Sequence, residues 1–324
     1  MVAQNPVVGA VDIGGTKIAV GAIDASGQVL AKEVHATQAT EGFDAAMQRV
    51  AAMLQSARAR AGVELCGIGI GCSGPVDPLS GEIGSVEFLA EWRGCNPVDR
   101  LARDFGLTVA MENDADAAAL GELRWGAGRG KRHLICVTVG TGIGCGIVHN
   151  GTLYRGVDGA HPEIGHHIIE ASGPPCYCGA SGCWEVLAAG PAIAARFARD
   201  APPEQPSRDP LTARGVCELA RQGNLLARRE IEREGHYLGV GVANLVTMFV
   251  PEVIALSGSV MNSADLFMPT IRAVVLRSCG LVPAASVEIL AAALGNDAPL
   301  IGAGAVWQHR YGNNRESHCT PRQK

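Results

Sequence analysis

One supersecondary pattern occurs twice in this chain, and it limits the fold more than any other feature. Residues 7–34, VVGAVDIGGTKIAVGAIDASGQVLAKEV, read as strand, glycine turn, strand, turn, strand. Residues 133–155, HLICVTVGTGIGCGIVHNGTLYR, read the same way, with GTGIG as the first turn and NG as the second. A duplicated β-meander points to two related lobes, and 324 residues suit two domains of roughly 100–200 residues each. Around the meanders lie a helical pattern at 43–61, a strand at 65–71, helices across roughly 212–249, and a strand EVIAL running into SGS. A Pro- and charge-rich loop is expected at 200–210, and the polar tail from His309 is expected to fray. The order is that of an α/β protein, with a ligand in the cleft between two lobes.

Composition narrows the class. Apolar residues make up 47% but aromatics only 4%, so the cores must be built from Ala, Val, Ile and Leu. The 42 glycines sit beside apolar runs, where tight turns bring backbone close to a ligand. A net charge of −5 argues against nucleic acid as the main partner. The stretch 237–256 is apolar but broken by Asn244, Pro251 and Glu252, so it predicts a buried helix and then a buried strand. A bilayer span needs about 20 uninterrupted apolar residues. The N-terminus carries no basic region of the secretory type. Of eleven cysteines, eight are scattered in mainly apolar contexts, as small core residues in a reducing compartment. A cytoplasmic protein with no membrane partner is expected.

Neither glycine turn has the spacing of a P-loop or of G-x-G-x-x-G. Together they say more than either alone. Gly14, Gly15 and Thr16 at a hairpin tip present bare N–H groups and a hydroxyl to an anion, and Lys17 adds positive charge. Asp12 stands where it could hold Mg²⁺ through water. Gly140, Thr141 and Gly142 offer a second such cradle. Paired phosphate hairpins suit a nucleoside triphosphate.

Residues 161–185, HPEIGHHIIEASGPPCYCGASGCWE, hold three histidines, three cysteines and three glutamates. Cys176 and Cys178 are too close to pair comfortably, and a plain core role sits poorly with the flanking Gly and Pro. Three thiolates from Cys176, Cys178 and Cys183 with one imidazole make a closed Cys₃His tetrahedron, the structural kind of Zn²⁺ site. His161, His166 and His167 are all candidates for the imidazole. Upstream, TVAMENDADAAALGELRWG reads as a strand, a polar corner and an Ala-rich helix. Asn113 and Asp114 suit a helix N-cap. The same order also places a carboxylate at a strand end facing a cleft.

DIGGTK, ENDADAAALGE, GTGIGCGIV, HPEIGH and CYCGASGCWE, in that order, resemble the ROK family (repressor, open reading frame, kinase) from about residue 7 to 308. The resemblance implies an actin-like/hexokinase (ribonuclease H-like) duplicated fold. Here that means residues 1–116 with 300–324 as the N-terminal lobe and 117–299 as the C-terminal lobe. It implies an ATP-dependent sugar kinase using Mg²⁺, with His166 completing the zinc site. Gly74, Asn113, Asp114, Glu163, His166 and Glu185 fall at the sugar, His166 through its second ring nitrogen. Asp114 becomes the general base, and a homodimer is expected. Separately, ALSGSV puts Gly258 just after a buried strand, as an adenosine-side contact or a plain strand-to-helix turn. Asp116, where the family more often has Asn, should point away as a surface or capping residue.

The sugar is less defined. EFLAEW (87–92) stands where many ROK glucokinases carry Asn-Leu-Pro-Gly-Trp, and HPE is similar to ROK fructokinases. Glucose leads, followed by an N-acetylated hexosamine (GlcNAc or ManNAc) and then fructose. ROK repressors carry a helix-turn-helix before the first hairpin, and only eleven residues precede Asp12 here. A basic patch, GRGKRH, reads as a solvated loop. The remaining non-enzyme reading is a sugar-binding regulatory protein, against which stand Asp12, Lys17, Asn113 and Asp114.

Overall fold

The computed structural model describes residues 6–201 and 211–312. Their contacts group into two compact units, one of 6–130, 146–162 and 293–312, the other of 131–145, 163–201 and 211–292.

The first unit begins with β1 (Val7–Ile13), β2 (Lys17–Ile23) and β3 (Val29–Ala36), the expected meander. Helix α1 (Phe43–Ala61) leads to β4 (Leu65–Cys72) and a short ribbon of β5 (Val76–Asp77) and β6 (Glu82–Ile83). After α2 (Pro97–Phe105) come β7 (Val109–Asn113) and α3 (Asp114–Trp125). The sheet order is β3-β2-β1-β4-β7, with β1 antiparallel to β2 and parallel to β4.

The sequence of β4, LCGIGIGC, shows why this sheet is covered on both faces. Strand residues alternate sides. Ile68 and Ile70 enter the core with Met47, Val50 and Leu54 of α1. The glycines between them face the C-terminal helix, Ala298–Tyr311. A Cβ at Gly67 would lie 2.0 Å from Trp307 Nε1, and one at Gly69 1.9 Å from the Ala303 carbonyl oxygen. Gly71 continues the row, its ideal Cβ 3.2 Å from Ala117 Cβ. Bare backbone on β4 thus lets the helix lie flat on the sheet and brings the start of α3 beside the strand's end.

The second meander is β8 (Leu134–Val139), β9 (Ile143–His149) and β10 (Thr152–Leu153). With β11 (Val253–Ser257) and β12 (Glu288–Ala291) it gives the order β10-β9-β8-β11-β12, which repeats the first sheet. The second unit's helices are α4 (Trp184–Ala188), α5 (Gly190–Asp200), α6 (Ala213–Arg221), α7 (Leu225–Phe249) and α8 (Ala264–Ser278). The C-terminal helix is α9 (Ala298–Tyr311). On α7, Gly235 and Gly239 lie against Thr270 and Val274 of α8, and Gly241 lies against the buried Trp184 ring.

Some expectations shift. Helix α3 belongs wholly to the first unit, as does 146–162, whereas the sequence division placed residues from 117 onward in the second lobe. Helix α9 stays ordered past His309 because Trp307 and its neighbours are buried. Cys66 and Cys95 are only half-buried, while Cys72, Cys136, Cys145, Cys217 and Cys279 are core residues. Residues 202–210, most of the expected loop, and the tail with Cys319 lie outside the described residues. Among the described residues, no helix is long and apolar enough to cross a membrane.

Candidate functional site

In the first unit the hairpin tip is held by its own backbone and by Thr37. The Gly14 N–H donates to the Lys17 carbonyl at 3.0 Å, and Thr37 Oγ1 donates to the Gly14 carbonyl at 2.6 Å. Thr16 and Lys17 are exposed. Gly15 has a steric reason to be glycine, since a Cβ there would sit 2.6 Å from Cδ2 of Phe88. Asp12, at the end of β1, has its carboxyl raised to about 7, first by desolvation and then by the Asp114 charge.

Asn113 is the N-cap of α3, its Oδ1 accepting from the Ala115 N–H at 2.9 Å. Its amide also donates to the Gly74 carbonyl at 3.1 Å. Gly74 has φ +100, a left-handed conformation that glycine adopts without strain. Asp114 is doubly held. Oδ1 accepts from the Ala115 N–H at 2.8 Å, and Oδ2 accepts from the Ser73 hydroxyl at 2.5 Å. Sequence reasoning missed Ser73, though its place directly after the buried β4 was a usable signal.

Asp116 is a correction. It is fully buried, not on the surface: its Oδ2 pairs at 2.7 Å with both Arg155 Nη1 and His161 Nδ1. Glu112 takes the other arm of Arg155. About half a turn of helix separates these roles, so Asp114 faces the strand end while Asp116 faces inward. His161, a possible zinc ligand from sequence, is committed to this network.

In the second unit the Gly140 N–H donates to the Gly142 carbonyl at 2.9 Å, and the Gly190 N–H to the Gly140 carbonyl at 2.7 Å. Thr141 is exposed beside a cavity of about 530 Å³ lined by Gly140, Thr141, Pro191, Ala213, Arg214 and Ser259 among others. Gly258 has φ +95 and lies on the Val139 backbone, where a Cβ would come within 2.3 Å of the carbonyl oxygen. The Pro191 and Arg214 walls were not foreseen.

A ring nitrogen of His166 and the sulfurs of Cys176, Cys178 and Cys183 all lie within 4.8 Å of one another. His166 Nδ1 is 3.5 Å from Cys176 Sγ, and Cys178 Sγ is 3.5 Å from Cys183 Sγ. Tetrahedral zinc with Zn–S near 2.3 Å and Zn–N near 2.0 Å needs edges of about 3.5–3.8 Å. The cysteines are not paired as disulfides. Donor set and spacing therefore fit zinc. His167 takes no part: its Nδ1 meets the Ile164 carbonyl at 2.6 Å and its Nε2 meets the Asn244 amide at 3.2 Å.

Helix α4 carries Glu185 out of this knot. Trp184 docks into α7 at Gly241, and its indole N–H donates to the Tyr237 carbonyl at 3.0 Å. Glu185 Oε2 then accepts from the Ile143 N–H at 2.8 Å, next to the second hairpin. A Cβ at Gly142 would lie 2.4 Å from the same oxygen, so a side chain there would displace the Glu185 carboxylate. Glu185 Oε1 is 4.0 Å from His166 Nε2. Glu163 is exposed at the start of the turn that presents His166.

The ROK family profile matches residues 8–310. A glucokinase of Thermotoga maritima is 32% identical over 311 residues, covering 93% of this chain and 97% of its own. A ROK hexokinase structure from Thermus thermophilus superposes with TM-score 0.81 at 33% identity, covering 94% of this chain and 99% of that one. A ROK glucokinase from Streptomyces griseus, in complex with glucose and AMPPNP, gives TM-score 0.79 at 33% identity over 92% of this chain and 98% of that one. The repeated sheet, the two glycine hairpins and these likenesses agree, and the chain belongs to the ROK family, with its actin-like/hexokinase fold.

Proposed function

We propose that this ATP-dependent hexose kinase phosphorylates glucose, with Asp114 as the general base. The carrying observation is the double restraint on the Asp114 carboxylate by Ser73 and the Ala115 N–H. A base must present a fixed lone pair to the hydroxyl it deprotonates. In phosphoryl transfer through a loose transition state the proton leaves late, so a carboxylate of ordinary strength suffices.

Each unit supplies identifiable groups. In the second, the carboxylates of Glu185 and Glu163 accept hydrogen bonds from sugar hydroxyls, and His166 Nε2 faces the sugar while Nδ1 faces the metal. The cavity beside Gly140 and Thr141 takes the adenosine, with Gly258 at its edge, and the hairpin N–H groups take the phosphates. In the first unit Gly14, Gly15, Thr16 and Lys17 are the proposed phosphate-binding groups, and Gly74 and Asn113 the proposed sugar-binding ones.

Two metals fit the residues present. Asp12 is a hard oxygen donor whose desolvated carboxyl lacks a full counter-charge, which suits Mg²⁺ held through water. Bound Mg²⁺ neutralises charge on the phosphates. Zinc on His166, Cys176, Cys178 and Cys183 leaves no open position and orders the loop that presents Glu185.

The test is a panel of glucose, N-acetylglucosamine, N-acetylmannosamine and fructose with ATP and Mg²⁺. Glucose should show the highest kcat/KM. Preference for another sugar moves the specificity, and no turnover of any of them overturns the proposal.

A further inference from the structure

Tyr177 lies between the first two cysteines of the knot and takes no part in the metal set. Its side chain is 83% exposed, unusual for an aromatic ring. Yet its hydroxyl is 3.0 Å from His166 Nε2, and its ring stands edge-on to the His166 ring at 5.0 Å between centroids. Nδ1 is turned to Cys176, so the Tyr177 hydroxyl takes up the ring's second nitrogen, and with zinc on Nδ1 that Nε2 would carry the proton and donate to the Tyr177 oxygen. The Glu185 carboxylate flanks the same nitrogen, its Oε1 4.0 Å from His166 Nε2.

The Tyr177 hydroxyl thus occupies His166 Nε2 with the Glu185 carboxylate beside it. That is the pattern a sugar hydroxyl makes at the same two groups. We infer that Tyr177 is a specificity-determining latch: its hydroxyl fills a sugar-hydroxyl position on His166 and Glu185 and must swing away when hexose binds. The inference rests on the proposed sugar role of these residues. The exposure of the ring makes the swing feasible, since the side chain is anchored mainly at its tip. A sugar then gains only the difference between its own hydrogen bonds and those of Tyr177. The latch lowers affinity for every hexose and disfavours those lacking a hydroxyl pair that can replace it in full.

The test uses whichever panel hexose the full-length wild type phosphorylates. Its Kd is measured calorimetrically without nucleotide for wild type, Tyr177→Phe and Tyr177→Ala, with zinc content determined alongside. Removing one competing hydrogen bond should tighten binding about three- to tenfold in Tyr177→Phe, with zinc unchanged. Hexose should also produce a tyrosine ultraviolet difference spectrum in wild type that Tyr177→Phe lacks. Unchanged binding, weaker binding or the absence of that spectral difference overturns the latch alone. If no hexose binds or is turned over by wild type, the kinase proposal fails and the latch falls with it.

Discussion

The Ser73 hydroxyl donates to Oδ2 of Asp114 across the ends of two neighbouring elements, β4 and α3. Gly71 lets those elements approach, and the Ala115 N–H fixes the other carboxylate oxygen. Ser73→Ala frees one oxygen of Asp114 to rotate. A kcat loss of about tenfold with little change in KM is expected, the signature of an interaction used in the transition state. Ser73→Thr keeps the hydroxyl and should retain most activity. Equal loss in both variants would show that bulk at residue 73, and not the hydrogen bond, matters.

Asp116 holds Arg155 and His161 in a buried network beside the base. Asp116→Asn removes one of the two carboxylates that pair with Arg155. A stability loss of about 2–4 kcal/mol is expected in urea unfolding. A midpoint within error of wild type would mean that solvent or Glu112 compensates fully.

Zinc removal should separate structure from chemistry. Purified protein is expected to contain close to one zinc per chain. Cys178→Ser should lose it and weaken hexose binding, because Glu185 follows directly from the knot. Nucleotide binding should suffer less. Metal content well below one per chain, with normal hexose affinity, contradicts the structural role.

Asp12, Glu112 and Glu234 each have a carboxyl raised to about 7, with desolvation the largest cause. In such a case the folded chain holds more protons than the unfolded chain between roughly pH 4 and 7. Stability from these groups is then greatest at the acid end of that window and falls as pH rises through it. Without metal and nucleotide, Asp12→Asn should be more stable than wild type at pH 8, and the gain should shrink toward pH 5. A pH-independent difference would show that Asp12 is not desolvated as described.

Much of this could be read from the chain. The meanders, α1 and the cysteine knot are local patterns, in which the residues that define an element are adjacent to it. What escaped depends on packing between distant segments. The place of Ser73 after a buried strand is a local signal, but its partner Asp114 lies 41 residues on and is brought to it by packing beside Gly71. Asp116 looked like a cap because its partners, Arg155 and His161, come about 40 residues later in the chain. The glycines carried a double meaning. Gly14 and Gly140 shape turns, but Gly15 and Gly142 also leave room for the Phe88 ring and the Glu185 carboxylate, which the sequence could not show.

The most direct measurement is the comparison of Asp114→Asn with wild type, taking kcat with ATP and hexose and, separately, hexose Kd. Loss of a general base predicts a fall in kcat of about 10²–10⁴ with Kd changed by no more than about threefold. Turnover within a few-fold of wild type would contradict the assignment of Asp114, and with it the proposed mechanism.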